Sequence, residues 1–458
     1  MIWRTWLPLA LNWLLMALEG PIVVALIARL PSPTENLAAF SIAFSIALMV
    51  EAPVMMLLST SAALTTDRLS YEQLWRFTSA LALPLSGLMG AMGTPLVFSY
   101  INELVWQLPE AMAEEVAGAV RLLIPWPAAI AYRRLWQGIL IRFGQAQLVA
   151  AGTVLRLCGM AGGALIALSL CSWEGEWIGA FALSTGVCTE MLAVRWWAAP
   201  TLKKLPTYPY PPISQRKILS FYLPLLLTSI LSVGLTPLLT TFIAHGREPI
   251  PSLAAYSPTT STVFLFSCFG VAYQEVVIVL AGTRVGQKLL DFAHRIALFT
   301  ISSMSLLTLP QVYRWWFGYL FSLPYPLQSL AREALWWALP MPAVIAYLSY
   351  LKGTFIWARH TRLNLLAALT ELVMVAVFAS LFLFLARMNA LKGAMAGLVT
   401  ARIITLIAFA FVFLYLFRSK SFFSGRAILS PLRIQKAGAT PHLNDSGYSA
   451  HDSEHRKS

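Results

Sequence analysis

Charged residues are scarce in this sequence, at 12% of 458 residues, whereas soluble domains carry roughly 25%. Hydrophobic residues make up 58%, and apolar runs of about 20 residues recur, long enough to cross a bilayer as helices. The alternation of a membrane β-barrel is absent, and inside hydrocarbon only helices or closed barrels satisfy the backbone. The sequence therefore predicts an all-α polytopic membrane protein.

Motifs of enzyme chemistry are also missing. There is no phosphate-binding Gly-rich loop ending in Lys and Ser or Thr, and no Gly-x-Ser-x-Gly turn. The six histidines and four cysteines lack metal-ligand spacing, so we expect no metal, no cofactor and unpaired core cysteines. An integral-membrane transferase would need clustered Asp and His or a metal site, so we predict that the protein is not an enzyme and has no catalytic residues.

What the sequence does contain is a repeat. Its landmarks Leu7–Leu9, Pro21 and Leu37–Ser41 return 216 positions later as Leu223–Leu225, Pro237 and Leu253–Ser257. Further along, Pro125–Tyr132 and Gly138 return 215 positions later as Pro340–Tyr347 and Gly353. Two matches at nearly one spacing indicate two halves derived from one unit, an organisation typical of secondary transporters.

Hydropathy divides the chain into twelve predicted spans, six in each half. They are 6–29, 37–60, 76–99, 116–135, 147–171 and 177–198, then 219–244, 253–282, 295–319, 333–351, 363–385 and 393–417. We predict a six-helix lobe over 1–198, a Pro-rich linker over 199–218, a second six-helix lobe over 219–418 and a polar tail over 419–458. The composition of the tail predicts disorder.

Charge asymmetry between the loops predicts the orientation. One set of loops carries Arg68, Arg76, Arg133, Arg134, Arg142, Lys203, Lys204, Arg216, Lys217, Arg284, Lys288, Arg295, Lys352, Arg359 and Arg362. The opposite loops of the first half are acidic. The positive-inside rule then places both termini of this multi-pass protein, and the connector between its halves, in the cytoplasm. Because each half has six spans, both halves begin on the same side of the membrane. The repeats are therefore parallel rather than inverted. Topology also accounts for the net charge of +13, so nucleic acid is not an expected partner.

Among the ionisable residues inside predicted spans, seven stand out: Glu19, Glu51, Arg156, Glu190, Glu275, Glu371 and Arg402. Such residues are costly in a membrane and usually face a cavity or a partner. We predict all seven as candidate substrate or ion-binding residues. A non-transporting scaffold would have little use for so many charges within its spans.

Glu19 and Glu51 are the first candidates for coupling to an ion. Both precede a proline that weakens the local helix, and a carboxylate among apolar helices can carry a proton or bind a cation. The alternative is that each is a permanently neutralised structural residue. Glu190 and Glu275 lie nearer the cytoplasmic ends of their spans, where the alternative is a structural role or, for Glu275, an extension of the side chain towards the interface.

Arg156 and Glu371 are separated by 215 positions, which is the repeat offset. They therefore occupy equivalent sites in the two halves. They could pair across the pseudo-two-fold axis or line a central cavity from two sides. Alternatively, each is neutralised within its own half.

The architecture resembles the multidrug/oligosaccharidyl-lipid/polysaccharide (MOP) exporter superfamily. Gln137–Gly144 is similar to the Gly-rich basic turn that multidrug and toxic compound extrusion (MATE) transporters carry after span 4, and Lys352–Arg359 is a looser copy after span 10. The run Leu37–Ser45 with the following Ala52-Pro53 resembles the progressive ankylosis (ANK) branch, which is linked to export of pyrophosphate and organic anions. The span 1 aspartate pattern of bacterial MATE pumps is absent, and Glu19 would stand in its place.

This resemblance implies a monomeric exporter in the lipid bilayer of the cell inner (plasma) membrane that moves a small organic solute out of the cytoplasm by alternating access. It implies coupling to H⁺ or Na⁺. Two alternatives stay open. One is a flippase for a lipid-linked precursor, for which Arg156 and Arg402 would suit the anionic headgroup, and the other is an ANK-like exporter of organic anions or pyrophosphate.

Overall fold

The computed structural model describes residues 1–207, 213–283, 285–358 and 360–417. These residues form helices and no named strand, as the fold-class prediction requires. The first half contains α1 Ile2–Ala17, α2 Glu19–Ile27, α3 Pro33–Glu51, α4 Leu57–Leu64, α5 Arg68–Met92, α6 Pro95–Val105, α7 Glu110–Leu122, α8 Trp126–Arg142, α9 Ala146–Leu170 and α10 Gly175–Lys203. The second half contains α11 Gln215–Val233, α12 Leu235–Ala244, α13 Pro249–Leu280, α14 Leu289–Leu306, α15 Pro310–Tyr313, α16 Tyr325–Ala338, α17 Met341–Trp357, α18 Thr361–Ser380 and α19 Ala390–Phe417.

Within the described residues, nine helical segments are long and apolar enough to cross a membrane. Two further segments qualify if each bent pair is one span, which gives up to eleven. One pair joins α5 to α6 at 82°, and the other bends by 79° before Pro310. The fold is thus that of a multi-pass membrane protein, and the count of twelve spans stays a prediction.

The helix boundaries repeat with the sequence. Helix starts at Pro33, Trp126, Ala146 and Gly175 correspond to starts at Pro249, Met341, Thr361 and Ala390, at offsets of 215 or 216 positions. The residues before α3 and α13, Ser32 and Glu248, both have left-handed backbone conformations, with φ of 49° and 53°. The same residue type starts both helices because proline's fixed φ and missing N–H suit the first helical position.

The two copies of the Leu37–Ser41 motif meet at the centre of the molecule, where α3 packs against α13. The Ser41 and Ser257 hydroxyls, at equivalent positions 216 apart, are 2.7 Å from each other. Equivalent atoms in direct contact must lie beside the axis that relates the copies. The small residues of the motif, such as Ala38 and Ala254, are fully buried because they let the two helices approach closely.

Two proline pairs, Pro125/Pro127 and Pro340/Pro342, interrupt predicted spans 4 and 10. Predicted span 116–135 is two helices, α7 and α8, and predicted span 333–351 is α16 and α17. The second helix of each pair extends beyond the predicted end. Arg142 and Lys352, beyond those predicted ends, therefore lie in α8 and α17 rather than in loops. Arg133 and Arg134, which were counted with the loop cations, also lie in α8.

Gly138 and Gly353, which occupy equivalent positions after the proline pairs, show why both halves have a glycine there. A Cβ atom on Gly138 would lie 2.4 Å from the backbone oxygen of Leu58 in α4. A Cβ atom on Gly353 would lie 2.9 Å from the backbone oxygen of Gln274 in α13. Each glycine thus permits a close helix contact within its own half.

Residues 1–413 form one compact unit, and a second unit begins at Leu414. The predicted lobe boundaries stay predictions. The polar tail over 419–458, linker residues 208–212, Arg284 and Arg359 lie outside the described residues. The four cysteines are free, as predicted, but only Cys268 is buried; Cys158 is exposed because it lies on an outward face of α9.

Candidate functional site

A cavity of about 470 Å³ lies between the two halves. Residues of α1–α3 form one wall, and residues of α11–α13, α17 and α19 form the other. Most of the lining is apolar, with serine and threonine hydroxyls between. Three charged residues line it: Glu19, Glu51 and Arg402. Ser41 and Ser257 also line the cavity, so it lies on the pseudo-two-fold axis.

In the first half, Glu19 is paired with Arg156. The Arg156 guanidinium donates to Glu19 at 2.6 Å, and the closest oxygen is 2.5 Å away. Glu19 lies at the break between α1 and α2, and Arg156 lies in the middle of α9, so the ion pair joins these elements. The side chain of Arg156 is 8% exposed, which leaves it little access to water.

Glu190 completes this network on the side away from the cavity. It is fully buried in α10 and accepts hydrogen bonds from Arg133 and Gln137 of α8, the latter at 2.9 Å. Arg156 lies 4.0 Å from the same carboxylate. Because a buried charge needs several partners to offset its desolvation, this arrangement fits a structural anchor for α8, α9 and α10.

Glu51 differs from Glu19 because no cation within the described residues forms a salt bridge with it at 4.0 Å or less. It accepts a hydrogen bond from the indole nitrogen of Trp126. Arg156 lies over the face of the same indole, 5.6 Å from the ring centroid. Trp126 therefore connects the two acidic residues of the cavity through a hydrogen bond on one side and a cation–π contact on the other.

The second half has a smaller charge cluster. Arg402 donates to Glu371 at 2.5 Å, and Lys352 lies 4.0 Å from the other oxygen of Glu371. A second nitrogen of Arg402 lies 3.1 Å from the sulfur of Met341. Glu371 is buried, whereas Arg402 is 23% exposed and reaches the cavity.

The two clusters are built at equivalent positions. Pairs separated by 215 positions are Gln137 and Lys352, Trp126 and Met341, and Arg156 and Glu371. Of the alternatives for Arg156 and Glu371, the structure shows ion pairs within each half, and neither residue lines the cavity. The charge at the shared position is reversed between the halves, and so is the charge of its partner.

Glu275 lies apart from both clusters. It is exposed at the side of α13 and accepts a 3.4 Å hydrogen bond from the indole nitrogen of Trp13 in α1. The structure thus brings six of the seven predicted residues into the two clusters and leaves Glu275 outside them. Within the described part of the chain, no group of three or more His, Cys, Asp or Glu side chains is placed to hold a metal ion.

Sequence reasoning missed the cationic and neutral partners in α8 and α17, namely Trp126, Arg133, Gln137 and Lys352. Lys352 was assigned to a loop because its predicted span ended at 351, whereas Arg133 lay within predicted span 116–135 but was counted with the loop cations that set the orientation. Two signals could have identified partners. Buried acids require neighbouring donors, and Gln137 and Lys352 share the repeat offset.

The architecture was compared with known proteins. No protein-family model and no curated protein sequence matches the chain. Solved structures do match. An inward-facing multidrug resistance MATE family transporter of the MOP superfamily has a TM-score of 0.66 and 16% identity, over 90% of this chain and 96% of its own. The fold is that of MATE transporters.

Two further structures of this fold support the assignment. A MATE in complex with MaL6 has a TM-score of 0.63 and 19% identity, over 90% of this chain and 95% of its own. An outward-facing multidrug resistance MATE family transporter has a TM-score of 0.59 and 18% identity, over 90% and 94%. These structures give no support to the ANK branch. At such identities, likeness to the MATE fold establishes architecture alone.

Proposed function

We propose that this protein is a secondary active transporter that moves a small organic solute across the membrane by alternating access, coupled to H⁺ or Na⁺. The observation that carries the proposal is the cavity on the pseudo-two-fold axis. Both halves form its walls, and both contribute charged residues, Glu19 and Glu51 from the first and Arg402 from the second. A site shared by two repeats can change its access when the repeats move relative to each other.

Glu51 is the stronger candidate for the coupling site. Glu19 is already neutralised by Arg156, so gain of a proton or cation there would break a short ion pair. Glu51 has a single hydrogen bond, from Trp126, and is 5% exposed. A carboxylate without an ion-pair partner can exchange a proton or bind a cation without separating two protein charges.

A second candidate concerns the solute. In the cluster around Glu371, the described charges are one carboxylate and two cations, Arg402 and Lys352. The cluster as a whole therefore carries one positive charge in excess, and Arg402, although paired with Glu371, is its member that reaches the cavity. Because guanidinium groups bind carboxylate and phosphate well, this observation favours an organic anion as the solute.

The test is transport by purified protein in proteoliposomes under an imposed pH gradient or Na⁺ gradient. Ethidium serves as an organic cation and carboxyfluorescein as an organic anion. We expect gradient-dependent flux of one probe above that of protein-free liposomes. Glu51→Gln should remove the dependence on the gradient, and the matched control Glu103→Gln, an exposed acid away from the cavity, should keep it.

Two results would count against these assignments. Gradient-driven flux that is unchanged in both Glu51→Gln and Glu19→Gln would exclude these residues from coupling. Flux of ethidium but not carboxyfluorescein, unaffected by Arg402→Gln, would refute the organic-anion candidate while leaving the transporter proposal standing.

A further inference from the structure

A second cavity lies on the outer surface of the first half, between α5, α8 and α10. It has a volume of about 590 Å³ and is lined by Tyr71, Glu72, Trp75, Arg76, Tyr132, Trp136 and Arg195. We call it the Arg76 groove. Its volume is within the roughly 300–1,000 Å³ of small-ligand sites. It shares no lining residue with the central cavity, so the proposed transport function does not account for it.

The two arginines of the Arg76 groove are available to a ligand. Within the described residues, no carboxylate lies within 4.0 Å of either guanidinium in a salt bridge. Glu72 is held by Arg68 at 3.1 Å, so its charge is already offset. Arg195 lies over the indole of Trp136, 5.4 Å from the ring centroid, which positions its guanidinium without neutralising it. The groove therefore has an excess of positive charge.

The aromatic residues give the groove an amphipathic wall. The indole nitrogen of Trp136 donates to the Tyr71 hydroxyl at 3.4 Å, which leaves the tyrosine proton free to donate to a ligand. Tyr132 stacks on Trp136, with 5.7 Å between the ring centroids. Trp75 is 45% exposed beside Arg76. Tryptophan and tyrosine are typical of the depth at which lipid headgroups meet hydrocarbon.

The position along the helices indicates the same depth. Arg76 is eight residues after the start of α5 at Arg68, and Arg195 is eight residues before the end of α10 at Lys203. At 1.5 Å per residue, each lies about 12 Å from its helix end. The two ends are adjacent, because the Arg68 amide donates to the Pro206 carbonyl at 2.9 Å. Both arginines can thus extend towards the interface from the apolar zone.

We propose that the Arg76 groove binds the phosphate-bearing headgroup of an anionic phospholipid. Arg76 and Arg195 would hold the phosphate by charge-assisted hydrogen bonds, and the Tyr71 hydroxyl would donate a further bond. The faces of Trp75 and Tyr132 would pack against the glycerol and the first carbons of the acyl chains. Basic pockets between transmembrane helices are a known type of anionic-lipid site.

Native mass spectrometry of the full-length protein in detergent tests this proposal, with phosphatidylglycerol and phosphatidylcholine as probes. We expect the wild type to retain phosphatidylglycerol in preference to phosphatidylcholine. Loss of two charge-assisted contacts in Arg76→Gln/Arg195→Gln should weaken phosphatidylglycerol binding by at least about tenfold. The control Lys203→Gln/Lys204→Gln removes two exposed charges from the same end of α10 and should change it by less than about twofold.

Both arginines are exposed, so the double variant should fold, and gel filtration and thermal unfolding check this. The single variants Arg76→Gln and Arg195→Gln should each show an intermediate loss. Equal weakening of phosphatidylglycerol binding in the Lys203→Gln/Lys204→Gln control would show that the lipid is attracted by positive charge in general. That result would overturn the proposal of a specific site. Displacement of phosphatidylglycerol by an equimolar amount of inorganic phosphate would show a free-phosphate site and overturn the assignment to lipid.

Discussion

Replacing Arg156 by methionine tests the buried ion-pair network most severely. The side chains of Arg156, Glu19 and Glu190 are 8%, 16% and 0% exposed, so the charges left behind cannot be fully hydrated. Breaking such a buried pair by removing one partner costs about 3–5 kcal/mol. We expect Arg156→Met to lower the free energy of unfolding by that amount in a detergent unfolding titration.

The two acids near Arg156 should respond differently. Glu190 keeps its bonds from Arg133 and Gln137, whereas Glu19 loses its ion-pair partner within the described residues. Adding Glu19→Gln to Arg156→Met should therefore recover at least about 1 kcal/mol, within the range of coupling energies for contacting residues. Adding Glu190→Gln should recover no stability, because Arg133 would lose its buried acidic partner.

The matched control is Arg68→Met. Arg68 and Glu72 form an ion pair of 3.1 Å, but their side chains are 47% and 44% exposed. Such surface pairs contribute about 0–1 kcal/mol. A loss of less than 1 kcal/mol in Arg156→Met, or equal losses in both variants, would refute the assignment of Arg156 to a buried, energetically coupled network.

Three further predictions concern the packing, the Glu51 contact and the axis. Gly138→Ala should cost about 1–3 kcal/mol by overpacking against α4, and an unchanged melting temperature would contradict the close contact. Trp126→Phe should cost about 1–3 kcal/mol because Glu51 loses its donor, whereas the same variant in a Glu51→Leu background should cost less. Ser41→Cys/Ser257→Cys, in a protein without its native cysteines, should form a disulfide that blocks flux until reduced; full flux in the cross-linked protein would contradict movement at the axis.

The repeat was the most informative part of the sequence. Two stretches at offsets of 215 and 216 predicted that helices of the first half have counterparts in the second. The structure shows helix starts at matching offsets. The meeting of Ser41 and Ser257 could not be predicted, because the offset relates the copies without saying which faces touch. That choice depends on packing of small residues across α3 and α13.

The seven candidate residues within spans were found from the unfavourable free energy of placing a charge in the membrane, and six of them lie in the two clusters. Their partners were harder to predict. Hydropathy ended a span just before Lys352, and Arg133, near the end of its predicted span, was counted with the loop cations, since a run that ends in charge resembles the end of a span. In the structure, new helices start directly after Pro125 and Pro340 and continue past these cations. Arg133 is buried beside Glu190, and Lys352 is partly buried near Glu371. Tertiary partners of this kind leave little trace in local hydropathy.

The central claim is that the two halves move relative to each other around the shared cavity. Distances between spin labels measure this directly, with one pair at Ser32 and Tyr319, beside the 2.8 Å contact of Arg29 with the Leu320 carbonyl. A second pair at Arg68 and Arg216 reports on the opposite end, where Gln215 donates to Gln73 at 2.8 Å. In lipid nanodiscs, a change of pH or Na⁺ should lengthen one distance and shorten the other. Unchanged distances under both conditions, or changes of the same sign at both ends, would contradict alternating access.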